Sequence, residues 1–343
     1  MRSYLQSGLI LKKGDVSPGL VKDLQQDLRQ LGYLGRGIDG DFGAGTERAI
    51  RSLQHDLLHN DGSGKGDGNA PVGIDGYNQG RVQEVNGVLD QALGVCLSAM
   101  LDDPGFPKLP SDSHPEQANK RALEAIRALS VLEVPLPFLL AILMQESGLC
   151  HFQVPTPKNA DNFITVGLDR GTGEEQVITS RGYGIGQYTL FHHPARPEEV
   201  DEVMLDPVRN VQRAIRELRE KFDRFVNGPT DLADDRVAEQ GRAPLRTCKF
   251  TPDDSARFLR DCRRCMEEAG KYNITSGQTH LYDGASGVYK PTQYHGEIAY
   301  TGVPIRQDIP CDWPYATRRY NGSGIDSYHY QTQVLLRIVE GIV

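Results

Sequence analysis

One segment constrains the fold more than any other. LPFLLAILMQESGL, residues 136–149, is apolar along nearly its whole length yet too short to span a bilayer, so it belongs inside a protein core. Pro135 and Pro137 stand at its start, where proline is tolerated, and Gly148 stands where a helix ends. Leu136, Leu139, Leu140 and Leu143 recur at i, i+3, i+4 and i+7, the buried stripe of a helix. Glu146 falls three residues after Leu143 and seven after Leu139, so it projects from the same face near the C-terminal end. A carboxylate there is poorly solvated and meets the negative end of the helix dipole. Both effects raise its pKa and keep it protonated near neutral pH. Such a group is suited to general acid work, but a buried glutamate paired with a core arginine fits the same pattern.

Helical spacing recurs on both sides. Val21, Leu24, Leu28 and Leu31 make one apolar face, ended by Gly32. Gly35 to Gly45 is rich in Gly and Asp and predicts a tight loop, after which Thr46 is the expected N-cap of a second helix with Ala49, Ile50, Leu53 and Leu57 inward. A flexible loop follows at 60–69. Val82, Val85, Val88, Leu89, Ala92 and Leu93 then predict a third helix. The stretch from Asp102 to Gln117 turns to Pro, Asp and Ser and reads as a linker. Beyond it come a helix around Leu123, Ile126 and Leu129, then the segment containing Glu146. Asp206-Pro207 opens a long amphipathic helix carrying Val208, Val211, Ile215, Leu218, Phe222 and Phe225, closed by Gly228-Pro229. Periodicity is weak from about 240 to 312, and Val334, Leu335 and Ile338 mark a last helix. The expected fold is mainly α. It comprises a small three-helix domain over 1–101, a linker over 102–117, and an α-rich domain over 118–343 with an irregular insertion at about 230–312.

With 343 residues, the chain is long enough for two modest domains. Its formal net charge of -8 argues against nucleic acid, which needs clustered Lys and Arg. No apolar run approaches the roughly 18 residues of a membrane span. Residues 9–11 are too brief an apolar core for a secretory signal, so synthesis in the cytoplasm without a signal peptide is expected. Of six cysteines, Cys262 and Cys265 form one close pair with Cys248 and Cys311 in the same stretch. Zinc sites of this kind use two close pairs, so no metal is expected, and disulfides or free thiols remain as alternatives. No cofactor motif is present. His192-His193 and Trp313 read as packing residues, and residues 61–69 lack the glutamate of a calcium loop.

Within residues 21–54, Leu24-Gln25, Leu31-Gly32-Tyr33, Gly40-Asp41-Phe42-Gly43, Thr46, Ala49 and Leu53-Gln54 stand in a pattern that resembles the peptidoglycan-binding module of wall-lytic enzymes. The resemblance implies bacterial peptidoglycan as partner. Gly40 and Gly43 permit a sharp loop, and Phe42 plugs the core beneath it.

Three further motifs stand in order. They are Glu146-Ser147, the run Gly182-Tyr183-Gly184-Ile185-Gly186-Gln187, and Arg319-Tyr320-Asn321-Gly322. Together, with Asp206-Pro207 and Asn210 between the second and third, they resemble the signatures of soluble lytic transglycosylases and goose-type lysozymes. The resemblance implies a lysozyme-like catalytic domain that cleaves the MurNAc-GlcNAc β-1,4 bond, with Glu146 as acid and base. It implies that Ser147 supports the acid or touches substrate. Tyr183, Gly184, Ile185, Gly186 and Gln187 line the sugar cleft, Tyr320 shapes the pocket, and Asn321 bonds an N-acetyl group. The sequence departs from the family at Gly186, where a bulky apolar residue is usual, and in the long loop and insertion between motifs.

A second carboxylate has candidates in Asp161, Asp169 and Glu174, but the altered loop length gives no firm match, and a single-carboxylate mechanism is favoured. Action on the cell wall or in the periplasm then requires release as a phage lysin or delivery as a toxin. The second case would add secretion machinery and an immunity protein as partners. The competing reading is a wall-binding or scaffold protein whose lysozyme-like fold has lost activity.

Overall fold

The computed structural model describes residues 2–35, 37–64, 68–154, 156, 164–167, 177–222, 281–283, 288–290, 313–321, 330, 333–334 and 337–338. The chain is mainly helical, and its contacts divide it into two compact units. Unit 1 is Met1–Ala122 with Cys150–Asn210, and unit 2 is Leu123–Leu149 with Val211–Val343.

Unit 1 opens with α1, Pro18–Gln30, and α2, Ala44–His59. Val21, Leu24 and Leu28 of α1 meet Ala49, Ile50, Leu53 and Leu57 of α2 in one core with Tyr33 and Phe42. The loop between the helices is tied down from inside by one buried side chain. The Gln25 amide donates to Asp39 Oδ1, the Asp41 carbonyl and Thr46 Oγ1, all at 3.0 Å. Its Oε1 accepts the backbone N–H of Asp39 at 3.0 Å and of Gly40 at 2.8 Å. A fully bonded buried amide costs little and pins a loop that has no sheet or helix to hold it. Gly40 has φ +90°, and a Cβ there would sit 2.8 Å from Pro18 Cα, so no other residue fits. Gly43 has no such constraint and serves as the N-cap of α2. Thr46, expected at that cap, instead lies inside the first turn, and its hydroxyl is consumed by Gln25.

The third helix also starts later than expected. α3 is Gln91–Asp102, capped by the Asp90 carboxylate accepting from Leu93 N–H. The 82–89 stretch is irregular despite its helical spacing of valines. Gly87 at φ +77° breaks it, and Gln54 bonds its backbone N–H groups at Asn86 and Gly87. Leu89 pairs with Leu11 in a short antiparallel bridge.

Residues 103–114, within the expected linker, carry the buried Phe106 and Leu109. Arg29 donates to the Pro110 carbonyl at 2.6 Å, and Leu109 N–H donates to Gln30. α4, Pro115–Glu133, follows. A three-stranded antiparallel sheet runs in the order β1 (Ile164–Gly167), β2 (Ser180–Tyr183) and β3 (Tyr188–Leu190). Strand β2 is joined to the N-terminal helices by buried polar groups. Arg181 Nε donates to the Gly32 carbonyl at 2.8 Å, and its Nη2 lies 3.6 Å from Asp56 Oδ2. The same Asp56 oxygen accepts the Tyr33 hydroxyl at 2.8 Å. Nearby, Ile178 N–H donates to Ser52 Oγ at 2.8 Å, and Asn60 Nδ2 donates to the His193 carbonyl at 3.1 Å.

In unit 2, α5 is Leu136–Ser147, with Pro135 as N-cap and Gly148 as a left-handed C-cap at φ 65°. Phe138, Leu139, Ala141, Ile142 and Leu143 are buried. The long helix α6, Pro207–Phe222, begins at the Asp206-Pro207 pair of unit 1, where Asp206 Oδ1 accepts Val208 N–H, and belongs to unit 2 from Val211 on. Val211, Ile215, Leu218 and Phe222 face inward. The indole of Trp313, first residue of α7 (Trp313–Asn321), stacks on Phe222 with centroids 4.2 Å apart. Trp313 is therefore core. Val334 and Ile338 are buried helical residues. Of the expected insertion, a two-stranded antiparallel sheet, β4 (Leu281–Asp283) with β5 (Val288–Lys290), lies among the described residues. Cys248, Cys262, Cys265, Cys311, Phe225 and the Gly228-Pro229 pair expected to close the long helix lie outside them.

Candidate functional site

Glu146 sits in the last turn of α5, one residue before its buried neighbour Ser147. Surrounding protein desolvates the carboxyl and pushes its pKa up to about 7; the Tyr330 hydrogen bond opposes the rise, and the charge of Glu217 adds to it. The Tyr330 hydroxyl donates to Glu146 Oε1 at 2.6 Å. Both tyrosines near the site, Tyr330 and Tyr320, are held well above their ordinary pKa, first by burial and then by the charges of Glu146 and Glu217. They remain neutral hydroxyls at any physiological pH. Glu217 comes from α6, is half-buried, and has Lys221 3.7 Å away. Beside the acid, Arg337 Nε donates to Gln145 Oε1 at 2.9 Å. Unit 2 thus assembles a carboxyl group that is close to half-protonated at neutral pH. Two neutral phenols stand close to it, and a second carboxylate acts on it through its charge.

Ser147 Oγ donates to the Leu143 carbonyl at 3.0 Å, back along its own helix. Tyr320 lies in α7 within electrostatic reach of Glu146, and Asn321 is exposed at the end of that helix. Asp161, Asp169 and Glu174 lie outside the described residues. Sequence reasoning missed Tyr330 and Glu217. Glu217 sits in a recognisable helix, but nothing in the sequence says which turn of that helix faces α5.

The Gly-rich motif belongs to unit 1, where it forms the turn between β2 and β3. Tyr183 and Ile185 are fully buried. Gly184 has φ +69°, and a Cβ there would come within 2.6 Å of His151 Cε1 and 2.7 Å of Asn210 Nδ2. Gln187 also has positive φ, +50°, and its side-chain amide donates back to the Gly184 carbonyl at 2.8 Å. Asn210 holds the turn from behind. Its Oδ1 accepts Gly186 N–H at 2.8 Å, and its Nδ2 donates to the Tyr183 carbonyl at 3.0 Å. His151 Nε2 is 2.7 Å from the Met204 carbonyl, which only accepts, so that nitrogen carries the proton. His151 Nδ1 then accepts Ile185 N–H at 3.3 Å. This is the neutral tautomer, and burial accordingly pushes the His151 pKa down to about 4. Gly184 thus serves close packing within the turn, and Gly186 is held there through its N–H. His151 was not singled out from sequence, because a histidine just past a helix C-terminus carries no pattern.

Among the described residues, no cluster of three or more His, Cys, Asp or Glu side chains could hold a metal ion, and no helix is long and apolar enough to cross a membrane.

Fold and site together define a mainly helical protein carrying a desolvated, tyrosine-bonded carboxyl acid. Comparison with known families identifies one part of it: residues 17–57 match the family described as a peptidoglycan binding domain. The chain therefore contains a peptidoglycan-binding domain, formed by α1, α2 and the Gln25-pinned loop between them, which is consistent with association with the bacterial cell wall. No curated protein and no solved structure matches the chain.

Proposed function

We propose that this protein cleaves the glycan strands of peptidoglycan at the MurNAc-GlcNAc β-1,4 bond, with Glu146 as general acid and then base. The observation that carries the reading is the state of Glu146. It is desolvated at the end of an apolar helix, has a pKa near 7, and is hydrogen-bonded by Tyr330 at 2.6 Å. A general acid works best when its pKa lies near the working pH. The peptidoglycan-binding domain in the same chain supplies the substrate class. In a single-carboxylate course, Glu146 protonates the leaving oxygen while the substrate's N-acetyl group stabilises the developing cation. The same carboxylate then takes a proton from water or from the sugar's own 6-hydroxyl. The second outcome leaves a 1,6-anhydro end and defines a lytic transglycosylase, the outcome favoured here. The site of action is the cell wall, reached by release or secretion.

Glu146→Gln keeps the acceptor for Tyr330 and removes the proton donor. Release of soluble muropeptides from purified sacculi should fall at least ~10²-fold while circular dichroism is unchanged. Near-normal turnover by the folded variant rejects the assignment and favours a wall-binding protein without activity. Mass spectrometry of the products separates the two chemistries, since anhydro ends are one water lighter. Hydrated ends alone would identify a muramidase.

A further inference from the structure

Unit 1 carries a cleft of about 560 Å³ between one face of α3 and the segment that begins with a single short helical turn, Asp75–Tyr77. Gln79 and Arg81 line it from that segment, and Val95, Ala99 and Asp103 from α3 and its C-cap. All of them lie outside residues 17–57, the part of the chain that matches the peptidoglycan-binding family. The volume falls within the range of ordinary ligand pockets and holds a few residues of a peptide.

The loop that carries Arg81 is held in one shape. The buried Asn78 side chain closes it: Oδ1 accepts Val82 N–H at 2.7 Å, and Nδ2 donates to the Val82 carbonyl at 3.0 Å. The Arg81 guanidinium is steered from one edge. Its Nη1 donates to Gln79 Oε1 at 2.8 Å and to the Asn78 carbonyl at 3.4 Å. Both acceptors are neutral, and among the described residues Arg81 has no carboxylate in salt-bridge range. Its Nε–Nη2 edge makes no hydrogen bond there, and the residue is exposed, so that edge is open to a ligand. It is the fork that takes a carboxylate through two parallel N–H···O bonds. Val95 and Ala99, one helical turn apart, are both exposed, Val95 by 40%. They offer a small apolar surface matched to short side chains. Asp103 Oδ1 accepts Gly105 N–H at 2.7 Å, and its Oδ2 accepts the Tyr77 hydroxyl. Each oxygen keeps a further acceptor position, which suits an amide N–H. A bare anion would be repelled by Asp103. A chain with a carboxylate at its end and N–H groups along its length satisfies both residues.

We infer that this cleft binds the alanine-ended stem peptide of peptidoglycan, its terminal carboxylate on the Nε–Nη2 edge of Arg81, its methyl groups on Val95 and Ala99, and a peptide N–H on Asp103. Stem ends carry free carboxylates wherever they are not cross-linked. The glycan strand offers Arg81 no charge once its lactyl groups are joined to the stems. The inference rests on the wall association that the peptidoglycan-binding domain supports, and it names the part of the polymer that unit 1 reads, the peptide rather than the sugar.

The full chain is titrated with acetyl-D-alanyl-D-alanine, and with the same dipeptide ending in an amide, by NMR and calorimetry. The carboxylate form should bind at least ~5-fold tighter than the amide, with backbone shifts centred on residues 76–81 and 95–103. Arg81→Gln should bring the carboxylate form down to the affinity of the amide. Ala99→Glu, which sets a like charge on the facing wall, should weaken it at least ~5-fold. Both positions are exposed, so either variant serves if the other misfolds. Absence of saturable binding, equal binding of the amide, shifts confined to other residues, or wild-type affinity in the folded variants overturns the site. Retention on purified sacculi is measured in parallel. Retention without peptide binding removes this site and leaves the wall reading standing. Peptide binding that responds to the variants, without retention, keeps the site and removes the wall reading.

Discussion

The Tyr330 hydroxyl donates to Glu146 Oε1 at 2.6 Å, joining residues 184 positions apart in the chain. A phenol that donates to a carboxyl oxygen stabilises the charged carboxylate and holds its pKa down. Desolvation pushes the other way and wins, which is why Glu146 stands near 7 rather than higher. This balance makes the acid adjustable from two sides.

Tyr330→Phe removes the opposing hydrogen bond, so the Glu146 pKa should rise by roughly one unit. Glu217→Gln removes a repelling charge, so it should fall. If Glu146 must be protonated to act, the alkaline limb of the pH–activity profile moves up in the first variant and down in the second. Movement in the same direction in both would contradict the arrangement around the acid.

Glu146 also ties stability to pH. Its folded pKa is raised from 4.5 to about 7, so the folded state binds more protons than the unfolded chain between those values. Stability is therefore lost as pH climbs through that window, and the loss is complete above the folded pKa. Glu146→Gln should stabilise the protein at pH 8 by about 3 kcal/mol and leave it unchanged at pH 4. Denaturant titration at the two pH values measures the difference.

His151 acts with the opposite sign. Its folded pKa is depressed from 6.5 to about 4, so its contribution is intact above 6.5 and lost as pH falls through 4. Protonation would also abolish the acceptor for Ile185 N–H. His151→Gln should flatten the fall in stability between pH 6.5 and 4, and thermal melts across that range would show it.

Gly184→Ala should cost about 2 kcal/mol or more, because a side chain at φ +69° is strained and its Cβ would overlap His151 and Asn210. A thermal melt within about 1 °C of wild type would contradict the packing described for the turn.

Arg181→Met removes the cation nearest Asp56 Oδ2 and strips the Gly32 carbonyl of its partner. Removing one member of a buried pair typically costs about 3–5 kcal/mol. The variant should melt earlier and be cut by protease after α3 sooner than wild type, since Arg181 bridges strand β2 and the N-terminal helices. An unchanged digestion pattern would show that the bridge does not hold these segments together.

What the sequence determined is local. The leucine spacing of 136–143, the prolines before it and Gly148 after it fixed α5 to within a residue. Position on that helix alone placed Glu146 on the poorly hydrated side. The Leu24-Gln25 and Gly40-Asp41-Phe42 motifs identified the peptidoglycan-binding domain, because a buried glutamine and an obligatory positive-φ glycine are tied to one loop shape. Periodicity misled at 82–89, where valines at helical spacing are overruled by Gly87 and by hydrogen bonds from Gln54. Thr46 misled as a cap because its hydroxyl had a tertiary partner. Only the tertiary structure could bring Tyr330 and Glu217 to the acid, Asn210 and His151 behind the Gly184 turn, and Arg181 to Gly32 and Asp56. Those partners are far apart along the chain, and a hydrogen bond between distant residues leaves no spacing in a sequence to read.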